Sequence, residues 1–546
     1  MSDLEEYKTV IGLSFGNQNS SISFTKDGKT ECLANEEGDR QIPAIFSYQG
    51  SEEYHGVQAY GQLVRNSHNT ILNFRDMLGK SSEDVTDKKH KRSAKPISVN
   101  GQPGFSVTVV DPETGAETTS KKTVYEFTVR HLNRLFESAR DFLGKKLDGC
   151  VIAVPSDFSE KQIEMLSKAS KEAGVPAMQF VKESAAQILA LMYSDSALVD
   201  KFVVVADFGA TRSEVSVASI KSGIITILSN EQDLHLGGEQ LTEVLVNFFA
   251  KEFEKKHKIN PLTNRRAIAK LHAQCEITKR ILSNNTTASA AIDSLVDGID
   301  FHSNINRLRF ELAGSSIFNK MSDLVVKAVK KAGLETVDIN EVILAGGASH
   351  SPKLTSLMWS VFPEQTVIRS SASSATPLAV NPAELAAVGA GVQASLIAEF
   401  DADEIAGSLT PDVVNAPHLT KPIGINEGDN FVVVFDIETA LPAQKSIECV
   451  APAEGGAYIP IYEGERSIKV TTVEADADES DFSEEEEPEE IRERVVTPGT
   501  LLATVNIADV APKAKVEVIL HLDAEGKLTV TARPKDGKGS NVRGSN

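Results

Sequence analysis

The chain has 546 residues, too many for a single hydrophobic core, so two or three domains are expected. Its hydrophobic and charged fractions, 41% and 24%, are ordinary for a soluble globular protein. The formal net charge is −21, but eleven acidic residues and no basic residue lie between Glu474 and Glu490. The remainder is only mildly acidic, which argues against a large nucleic-acid-binding surface.

Cysteine, histidine and apolar patterns exclude several other classes. The four cysteines lie far apart and the eleven histidines form no HExxH motif, so no pattern of metal ligands is present and any metal is left open. The segment Met1–Lys8 is polar and acidic, unlike a secretory signal, and no apolar run is long enough to span a bilayer. The sequence indicates a cytosolic protein with free thiols and no membrane partner.

Two segments repeat one pattern. Val10–Phe24 reads VIGLSFGNQNSSISF, and Val203–Val217 reads VVVADFGATRSEVSV. Each is an apolar strand, a Phe-Gly turn and an alternating strand, which is typical of a β-hairpin. We expect Gly16 and Gly209 to give the turns backbone freedom and to let N–H groups approach a ligand. The repeat predicts a duplicated domain with a cleft between its halves, although two unrelated hairpins with common turn residues would read the same way.

Strand and helix signals alternate between and after these hairpins. The apolar strand Val151–Pro155 precedes an S-x-x-Q capping box at Ser159–Gln162, and Gly174 closes the helix that follows. Because strand followed by helix is the pattern of an α/β domain, we predict that class for the first 400 residues.

Two weaker signals point to a ligand. A helix is predicted from about Ala267 to Ser283, and the polar residues at 276, 279, 280 and 283 share one of its faces. Taken alone, that face is most simply a solvated surface with an ion pair. The strand Ile343–Gly347 ends in two glycines, and a helix is expected at Pro382–Ile397. A strand that ends in two glycines is also weak evidence for a nucleotide-binding site.

Composition changes near Phe400. Residues 401–416 look like a linker, and residues 417–546 are predicted to form a β-sandwich. The acidic segment 474–490 should be a disordered loop. Only a short polar tail, Pro534–Asn546, is expected after the last strand, which leaves no room for a helical domain. The predicted strands are Phe431–Ile437, Ala457–Tyr462, Ser467–Val473, Leu501–Ile507, Val516–Leu522 and Leu528–Arg533.

Three longer segments carry a specific family pattern. The densest is CEITKRILSNNTTASAAIDSLVDGIDFHSNINRLRFE at Cys275–Glu311, and DLHLGGEQL at Asp233–Leu241 and LAGGASHSPKL at Leu344–Leu354 accompany it. With the two hairpins they resemble the heat-shock-seventy chaperone family over nearly the whole chain. The resemblance implies a duplicated actin-like (ribonuclease-H-like) nucleotide-binding domain over residues 1–400 and a truncated β-sandwich domain over 417–546, without a helical lid.

The resemblance also implies the residues of a nucleotide cleft. Its adenosine side is carried over to Glu276, Lys279, Arg280, Ser283, Gly346, Gly347, Ala348 and His350. Its phosphate side is carried over to Gly16, Asn17, Gln18, Arg75, Glu183, Asp207, Gly209, Thr211, Arg212, Gly237, Gly238 and Glu239.

The hydrolytic part of the cleft departs from the family pattern. The family's first hairpin reads Asp-Leu-Gly-Thr-Thr, whereas this chain has SFGNQ at Ser14–Gln18, and the family's catalytic lysine matches Arg75. The second hairpin's Gly-Gly-Gly-Thr-Phe-Asp becomes GATRSE at Gly209–Glu214. A serine cannot replace a carboxylate that holds a metal's water shell, and an arginine fork needs a different geometry from a lysine. We expect ATP binding with little or no hydrolysis and no catalytic residue, with Arg212 holding the phosphates and the need for Mg²⁺ left open.

These departures resemble one non-typical fungal branch of the family. That branch forms a stable heterodimer with a J-protein of the zuotin type and supports a ribosome-bound heat-shock-seventy chaperone acting on nascent chains. The resemblance therefore implies a cytoplasmic, ribosome-associated scaffold. Two alternatives stay open. One is an active ATP-hydrolysing chaperone with rearranged catalytic residues, which Glu183 and Asp207 favour, and the other is a small-molecule kinase, against which the β-sandwich argues.

Overall fold

The computed structural model describes residues 8–85, 92–111, 114–192, 199–221, 223–371, 379–401, 403–405, 417–427, 430–473, 489–508, 510–535 and 542–545. The chain divides into two compact units, Met1–Ala218 with Ile225–Thr410 and Ser219–Ile224 with Pro411–Asn546. Most of the expected linker at 401–416 and residues 474–488 of the expected acidic loop lie outside the described residues. Within the described part, no helix is both long and apolar enough to cross a membrane.

The first half of the first unit alternates strands with four helices. In chain order its elements are β1 (Val10–Phe15), β2 (Asn19–Lys26), β3 (Lys29–Leu33), β4 (Ile42–Pro43), β5 (Ile45–Gln49), β6 (Glu52–His55), α1 (Gly56–Gly61), β7 (Thr70–Leu72), β8 (Pro96–Val99), β9 (Gln102–Val110), β10 (Glu117–Thr123), α2 (Val124–Leu143), β11 (Gly149–Val154), α3 (Glu160–Glu172), β12 (Ala177–Lys182) and α4 (Glu183–Met192).

The second half of this unit contains further strands and longer helices. Its elements are β13 (Lys201–Phe208), β14 (Ser213–Lys221), β15 (Ile224–Asp233), α5 (Gly238–His257), α6 (Arg265–Asn284), β16 (Thr287–Val296), β17 (Ile299–Asn306), α7 (Arg307–Ala313), α8 (Ser315–Lys331), β18 (Glu341–Ala345), α9 (Pro352–Val361), β19 (Val367–Arg369) and α10 (Leu385–Ile397).

The two halves contain sheets of the same strand order. One sheet runs β12-β11-β1-β2-β3, and the other runs β15-β14-β13-β18-β19. In each sheet the first strand of the repeated hairpin pairs in parallel with a later strand, Val10 opposite Gly149 in one and Val203 opposite Glu341 in the other. The shared topology confirms the predicted duplication of an actin-like α/β unit.

Close packing of α10 holds the first hairpin in place. All six residues of β11 are buried, as expected for a parallel strand covered on both faces. On the neighbouring β1, a Cβ on Gly12 would collide with the backbone of Gly391 in α10. Ser23 Oγ donates a hydrogen bond of 2.5 Å to the carbonyl oxygen of Ala387 and ties β2 to the same helix. The turn that carries residues 16–18 is therefore built on a rigid base.

A cluster of aromatic rings and two histidines fills the space beside this hairpin. Its phenylalanine members are Phe15, Phe46, Phe74 and Phe127. The ring of His131 is fully buried, with Nε2 2.9 Å from Ser20 Oγ and Nδ1 2.8 Å from Nε2 of His55. Burial lowers the pKa of both histidines, that of His55 to about 4, so both rings are neutral at pH 7.

The helix signals read from the sequence are confirmed, with small shifts at the ends. Ser159 Oγ accepts the N–H of Gln162, and Gln162 Oε1 accepts the N–H of Ser159, so the predicted capping box starts α3. The predicted polar helix, α6, starts two residues early because the side chain of Asn264 caps it. The helix expected from Pro382 begins at Leu385 instead.

The described residues of the second unit form two four-stranded sheets, β21-β20-β23-β24 and β22-β25-β26-β27. Its strands are β20 (Ile423–Glu427), β21 (Asn430–Phe435), β22 (Ala443–Val450), β23 (Ala457–Val473), β24 (Glu489–Ile507), β25 (Lys515–Leu522), β26 (Leu528–Pro534) and β27 (Val542–Ser545). Both sheets contribute to one core, as in the predicted β-sandwich. Its central residues include Ile425, Ile461, Val505, Val518, Leu520 and Val530.

Three expectations for these strands are wrong. Glu489 and Glu490, expected in the acidic loop, begin β24, which therefore starts well before the strand predicted at Leu501–Ile507. The segments predicted as separate strands on either side of Gly464 form the single strand β23, because register shifts near Tyr462 absorb the irregularity and pairing continues. The tail after Pro534 contains β27, with Val542 opposite Ala532 of β26. A strand at the edge of a sheet needs only backbone pairing, so the polar composition of the tail concealed it.

Candidate functional site

A cavity of about 390 Å³ opens between the two halves of the first unit, a size typical of small-molecule sites. The turns of both repeated hairpins, the helix α6 and the 3₁₀ turn Gly347–His350 form its walls. Eighteen of the twenty residues predicted to bind nucleotide line it: Gly16, Asn17, Gln18, Arg75, Glu183, Asp207, Gly209, Thr211, Arg212, Gly238, Glu276, Lys279, Arg280, Ser283, Gly346, Gly347, Ala348 and His350.

The two hairpin turns meet across the cavity. Asn17 Nδ2 donates a hydrogen bond of 3.0 Å to Thr211 Oγ1. The glycines of the turns have a different role from the one expected, because neither Gly16 nor Gly209 has a positive φ. A Cβ on Gly16 would instead collide with the carbonyl oxygen of Asn19, and one on Gly209 would lie 2.9 Å from that of residue 212. These positions require glycine for the tightness of the turn.

The polar face of α6 forms one wall. Lys279 Nζ donates to Glu276 Oε2 at 2.7 Å, to Thr242 Oγ1 at 2.8 Å and to the carbonyl oxygen of Gly238 at 2.9 Å. Arg280 Nε donates to Glu276 Oε1 at 3.1 Å. Burial opposes ionisation of Glu276, but the attraction of Lys279 and Arg280 prevails and lowers its pKa to about 2. The face is therefore an organised ion network, more than a solvated surface.

The glycine pair at the end of β18 has two distinct roles. Gly346 has a φ of +79°, and a Cβ there would collide with Asp207 Oδ1. Gly347 has no atom within 4 Å of its ideal Cβ position, so it faces the open cavity. His350 lies in the same turn, and burial, with Arg280 nearby, lowers its pKa. A flat ring can therefore lie against Gly347. The groups near it are His350, whose neutral form is favoured, and Arg280, which is paired with Glu276.

Arg75 lies on the opposite wall and is 4% exposed. Its Nη1 donates to the carbonyl oxygen of Phe15 at 3.0 Å and lies 3.4 Å from Glu183 Oε1. Its Nε and Nη2 contact Asp76 Oδ1 at 2.8 and 2.7 Å, and its guanidinium carbon lies 5.7 Å from the ring centre of Phe158. The guanidinium group is thus held by contacts on several sides.

Arg212 is held in a similar way, which alters its expected role. Its Nη2 donates to Asp157 Oδ1 at 2.6 Å, to Gln232 Oε1 at 2.7 Å and to Glu214 Oε2 at 3.3 Å. The guanidinium group was expected to hold phosphates, and these three contacts occupy one of its nitrogens. Within the described residues, its buried Nε has no hydrogen-bond partner and remains available.

The acidic residues of this wall are buried. Burial raises the pKa of Glu183 to about 8 and that of Asp207 to about 6, and Arg75 and Gln187 counteract the effect only in part. Asp207 Oδ2 accepts a hydrogen bond from Gln187 Nε2. In the part of the chain that the structure describes, no three His, Cys, Asp or Glu side chains form a group that could hold a metal ion.

Two predicted residues, Gly237 and Glu239, lie outside the cavity lining. Glu239 forms an ion pair with Arg92 of the first half, so its carboxylate is directed away from the nucleotide position that we expected. Nearby, Arg265 Nη2 donates to the carbonyl oxygen of Ser93 at 2.9 Å. These contacts join the two halves beside the cavity.

Sequence reasoning missed several lining residues. Gln187 is one helical turn after Glu183 on α4, a spacing that places both on one face and could have revealed it. Five others lie in the family block Cys275–Glu311. The missed lining residues include Asn19, Gln41, Gln187, Glu214, Leu282, Asn284, Arg307, Phe310, Glu311, Ser351, Pro382 and Ala386.

Comparisons with known proteins agree with this architecture. The family model described as Hsp70 protein matches residues 10–473. A heat shock protein 70 homolog of Schizosaccharomyces pombe is 63% identical over 100% of this chain and 97% of its own length. The ribosome-associated complex subunit SSZ1 of Saccharomyces cerevisiae is 42% identical over 96% of this chain and 97% of its own. Human heat shock 70 kDa protein 14 is 31% identical over 85% and 89%.

The match to the family model covers most of the chain, including the first unit from residue 10 and the second unit as far as residue 473. It also explains why one chain combines a duplicated actin-like unit with a β-rich unit that follows it in sequence. The chain belongs to the heat shock protein 70 family.

Proposed function

We propose that this chain is a ribosome-associated co-chaperone scaffold that binds ATP and hydrolyses it little or not at all. ATP occupies the cavity of the first unit. The chain forms a stable heterodimer with a J-protein of the zuotin type, and the pair supports a ribosome-bound heat shock protein 70 that acts on nascent chains in the cytoplasm.

One observation carries the ATP part of the proposal, the contact of Arg75 with the first hairpin. Phosphoryl transfer depends on a cation placed at the transferred group and on a carboxylate-bound metal. Here the guanidinium group is engaged by the backbone of Phe15 and by carboxylates, and the hairpin residue that would face a metal is Ser14. These contacts hold the cation in a fixed place, which supports binding of ATP without efficient bond cleavage.

The protonation of Glu183 supports the same conclusion. A general base for the attacking water must be ionised near neutral pH. Burial raises the pKa of Glu183 although Arg75 opposes the effect, and a raised pKa disfavours the ionised form that a general base requires. The raised pKa therefore supports slow proton transfer at this residue.

The partner and location are proposed from the relatives. SSZ1, which matches nearly the full chain, is described as a subunit of the ribosome-associated complex. Similarity over the whole length, including the β-rich unit, makes the same type of assembly the simplest expectation for this chain. The J-protein itself is inferred from the resemblance of the altered hairpins and reduced β-sandwich to that branch of the family.

The proposal is tested by purifying the full chain from its own cells in high salt. Mass spectrometry of the bound proteins should find one J-protein in equal amount, and chromatography of the extracted nucleotide should find intact ATP. Loss of the J-protein in high salt, or ADP as the bound nucleotide, would contradict the proposal.

An active ATP-driven chaperone remains the second candidate because Glu183 and Asp207, both family residues, line the cavity. That candidate requires hydrolysis stimulated by a J-protein and peptide release that depends on nucleotide. Absence of both activities in the purified heterodimer would exclude it.

A further inference from the structure

We propose that the cavity takes ATP as the metal-free anion, with Arg75 and Arg212 neutralising charge that Mg²⁺ neutralises elsewhere in the family. Nucleotide binding with Mg²⁺ is general in this family. This inference rests on the proposed function, because it concerns the form in which the same cavity binds ATP.

The phosphate side of the cavity differs in charge from the family pattern. Compared with the family pattern, Ser14 removes one carboxylate from the first hairpin, and Arg212 adds one guanidinium group in place of a threonine in the second. The two changes make the phosphate side more positive by two charges, which is the charge of one Mg²⁺. The change from lysine to Arg75 leaves the charge unaltered. Asp157 and Glu214 offset part of the charge of Arg212 through their ion pairs with it, so the side chains supply part of the charge that a bound metal would supply.

The carboxyl groups that line the phosphate side of the cavity already have hydrogen-bond or ion-pair partners. Glu183 Oε1 lies 3.4 Å from Arg75 Nη1, and Glu214 accepts from Arg212 at 3.3 Å and from Asn230 Nδ2 at 2.7 Å. Asp207 accepts the amide of Gln187. Mg²⁺ demands near-octahedral oxygen ligands, so at Glu183 and Glu214 it would have to compete with Arg75 and Arg212. The donor set does not fit the metal.

The guanidinium groups of Arg75 and Arg212 are the donors that would face a bound polyphosphate. Both guanidinium groups line the cavity although the residues are only 4% and 7% exposed. Among the described residues, Arg212 Nε is buried without a hydrogen-bond partner, so the structure already carries the desolvation cost of one cationic donor. A phosphate oxygen satisfies this donor and makes a charge-assisted hydrogen bond.

Calorimetric titration of the nucleotide-free full chain with ATP tests the proposal, once with excess Mg²⁺ and once with excess EDTA. The expected Kd values agree within about threefold, or the metal-free form binds more tightly. A Kd at least about tenfold weaker in EDTA would overturn the proposal. Absence of binding in both buffers would instead overturn the proposed function.

The matched variant restores the family residues at both positions, Ser14→Asp with Arg212→Thr. It lowers the charge of the wall by two, so ATP should bind it roughly 10- to 100-fold more weakly in EDTA than in Mg²⁺. Equal affinity in both buffers would contradict the charge argument. If the loss of Arg212 prevents folding, Ser14→Asp alone should show the same direction of metal dependence, and circular dichroism checks that each variant is folded.

Discussion

Arg75 donates a 3.0 Å hydrogen bond to the carbonyl oxygen of Phe15, the residue that begins the turn of the first hairpin. Arg75 matches the family's catalytic lysine, and β1, which ends at Phe15, is the strand where the family carries its metal-facing aspartate. The bond therefore joins these two parts of the cleft. Because the same guanidinium group also contacts Asp76 and Glu183, it is held on both sides. This geometry favours a cleft that fixes a nucleotide in place.

The adenosine wall gives the first prediction. Gly347→Val should place a side chain in the open space where the ring is expected and weaken ATP binding by at least about tenfold. Calorimetry measures the affinity. Gly61→Val is the control, because Gly61 also has open space at its Cβ position but lies outside the cavity lining. Unchanged affinity in Gly347→Val would show that the ring lies elsewhere.

The neighbouring glycine should affect stability. Gly346→Ala forces a left-handed conformation on alanine and drives its Cβ into Asp207, so we expect it to lower the free energy of unfolding by about 2–4 kcal/mol. Gly347→Ala should change it by less than about 1 kcal/mol. Urea denaturation followed by circular dichroism measures both. Equal effects of the two substitutions would contradict the distinct roles assigned to the glycines.

The buried histidine pair should make stability depend on pH. The folded pKa of His55, about 4, lies below its ordinary value of 6.5. Its contribution is therefore fully present above pH 6.5 and is lost as the pH falls toward 4, because the unfolded chain binds the proton first. The slope approaches 1.4 kcal/mol per pH unit, roughly, for each such group.

Comparison of two variants separates the pH dependence that comes from His55 from the pH dependence that comes from the buried Glu183 and Asp207. His55→Gln should flatten the decline in unfolding free energy between pH 7 and pH 5, whereas His235→Gln at the surface should not, when both are measured by urea denaturation. A wild-type slope that survives in His55→Gln would refute the assignment.

The ion pair between Arg92 and Glu239 gives a kinetic prediction. It joins the two halves beside the cavity, as does the bond from Arg265 to Ser93. Glu239→Gln should loosen the closed arrangement and raise the dissociation rate of a fluorescent ATP analogue by at least about threefold, with little change in the association rate. Glu254→Gln, on an exposed position of the same helix, should leave both rates unchanged. An unaltered dissociation rate in Glu239→Gln would show that the pair does not restrain the cleft.

The sequence predicted the parts of this molecule that follow from local patterns. The capping box at Ser159 and the helix that carries Glu276 were predictable because a helix end and a helical face depend on residues a few positions apart. The common order of the two sheets followed from the repeated hairpin motif and the family blocks. Most of the cleft was therefore accessible without coordinates.

Long-range contacts were not accessible in this way. The partner of Glu239 is Arg92, separated by 147 residues, and no local pattern links them. Glu214 lies in the same motif as Arg212, but the other two acceptors, Asp157 and Gln232, come from distant segments, so the motif alone did not reveal these contacts. Strand β27 was missed because backbone pairing, more than side-chain pattern, defines it.

The central claim is that the cleft holds ATP without cleaving it. The most direct test is single-turnover hydrolysis of γ-labelled ATP by the stoichiometric heterodimer, in the presence and in the absence of the ribosome-bound chaperone. The Ser14→Asp variant serves as the comparison. The account predicts phosphate release no faster than in buffer for the wild-type chain, while the labelled ATP stays bound. Release of one phosphate per protein, well above the buffer rate, would contradict it.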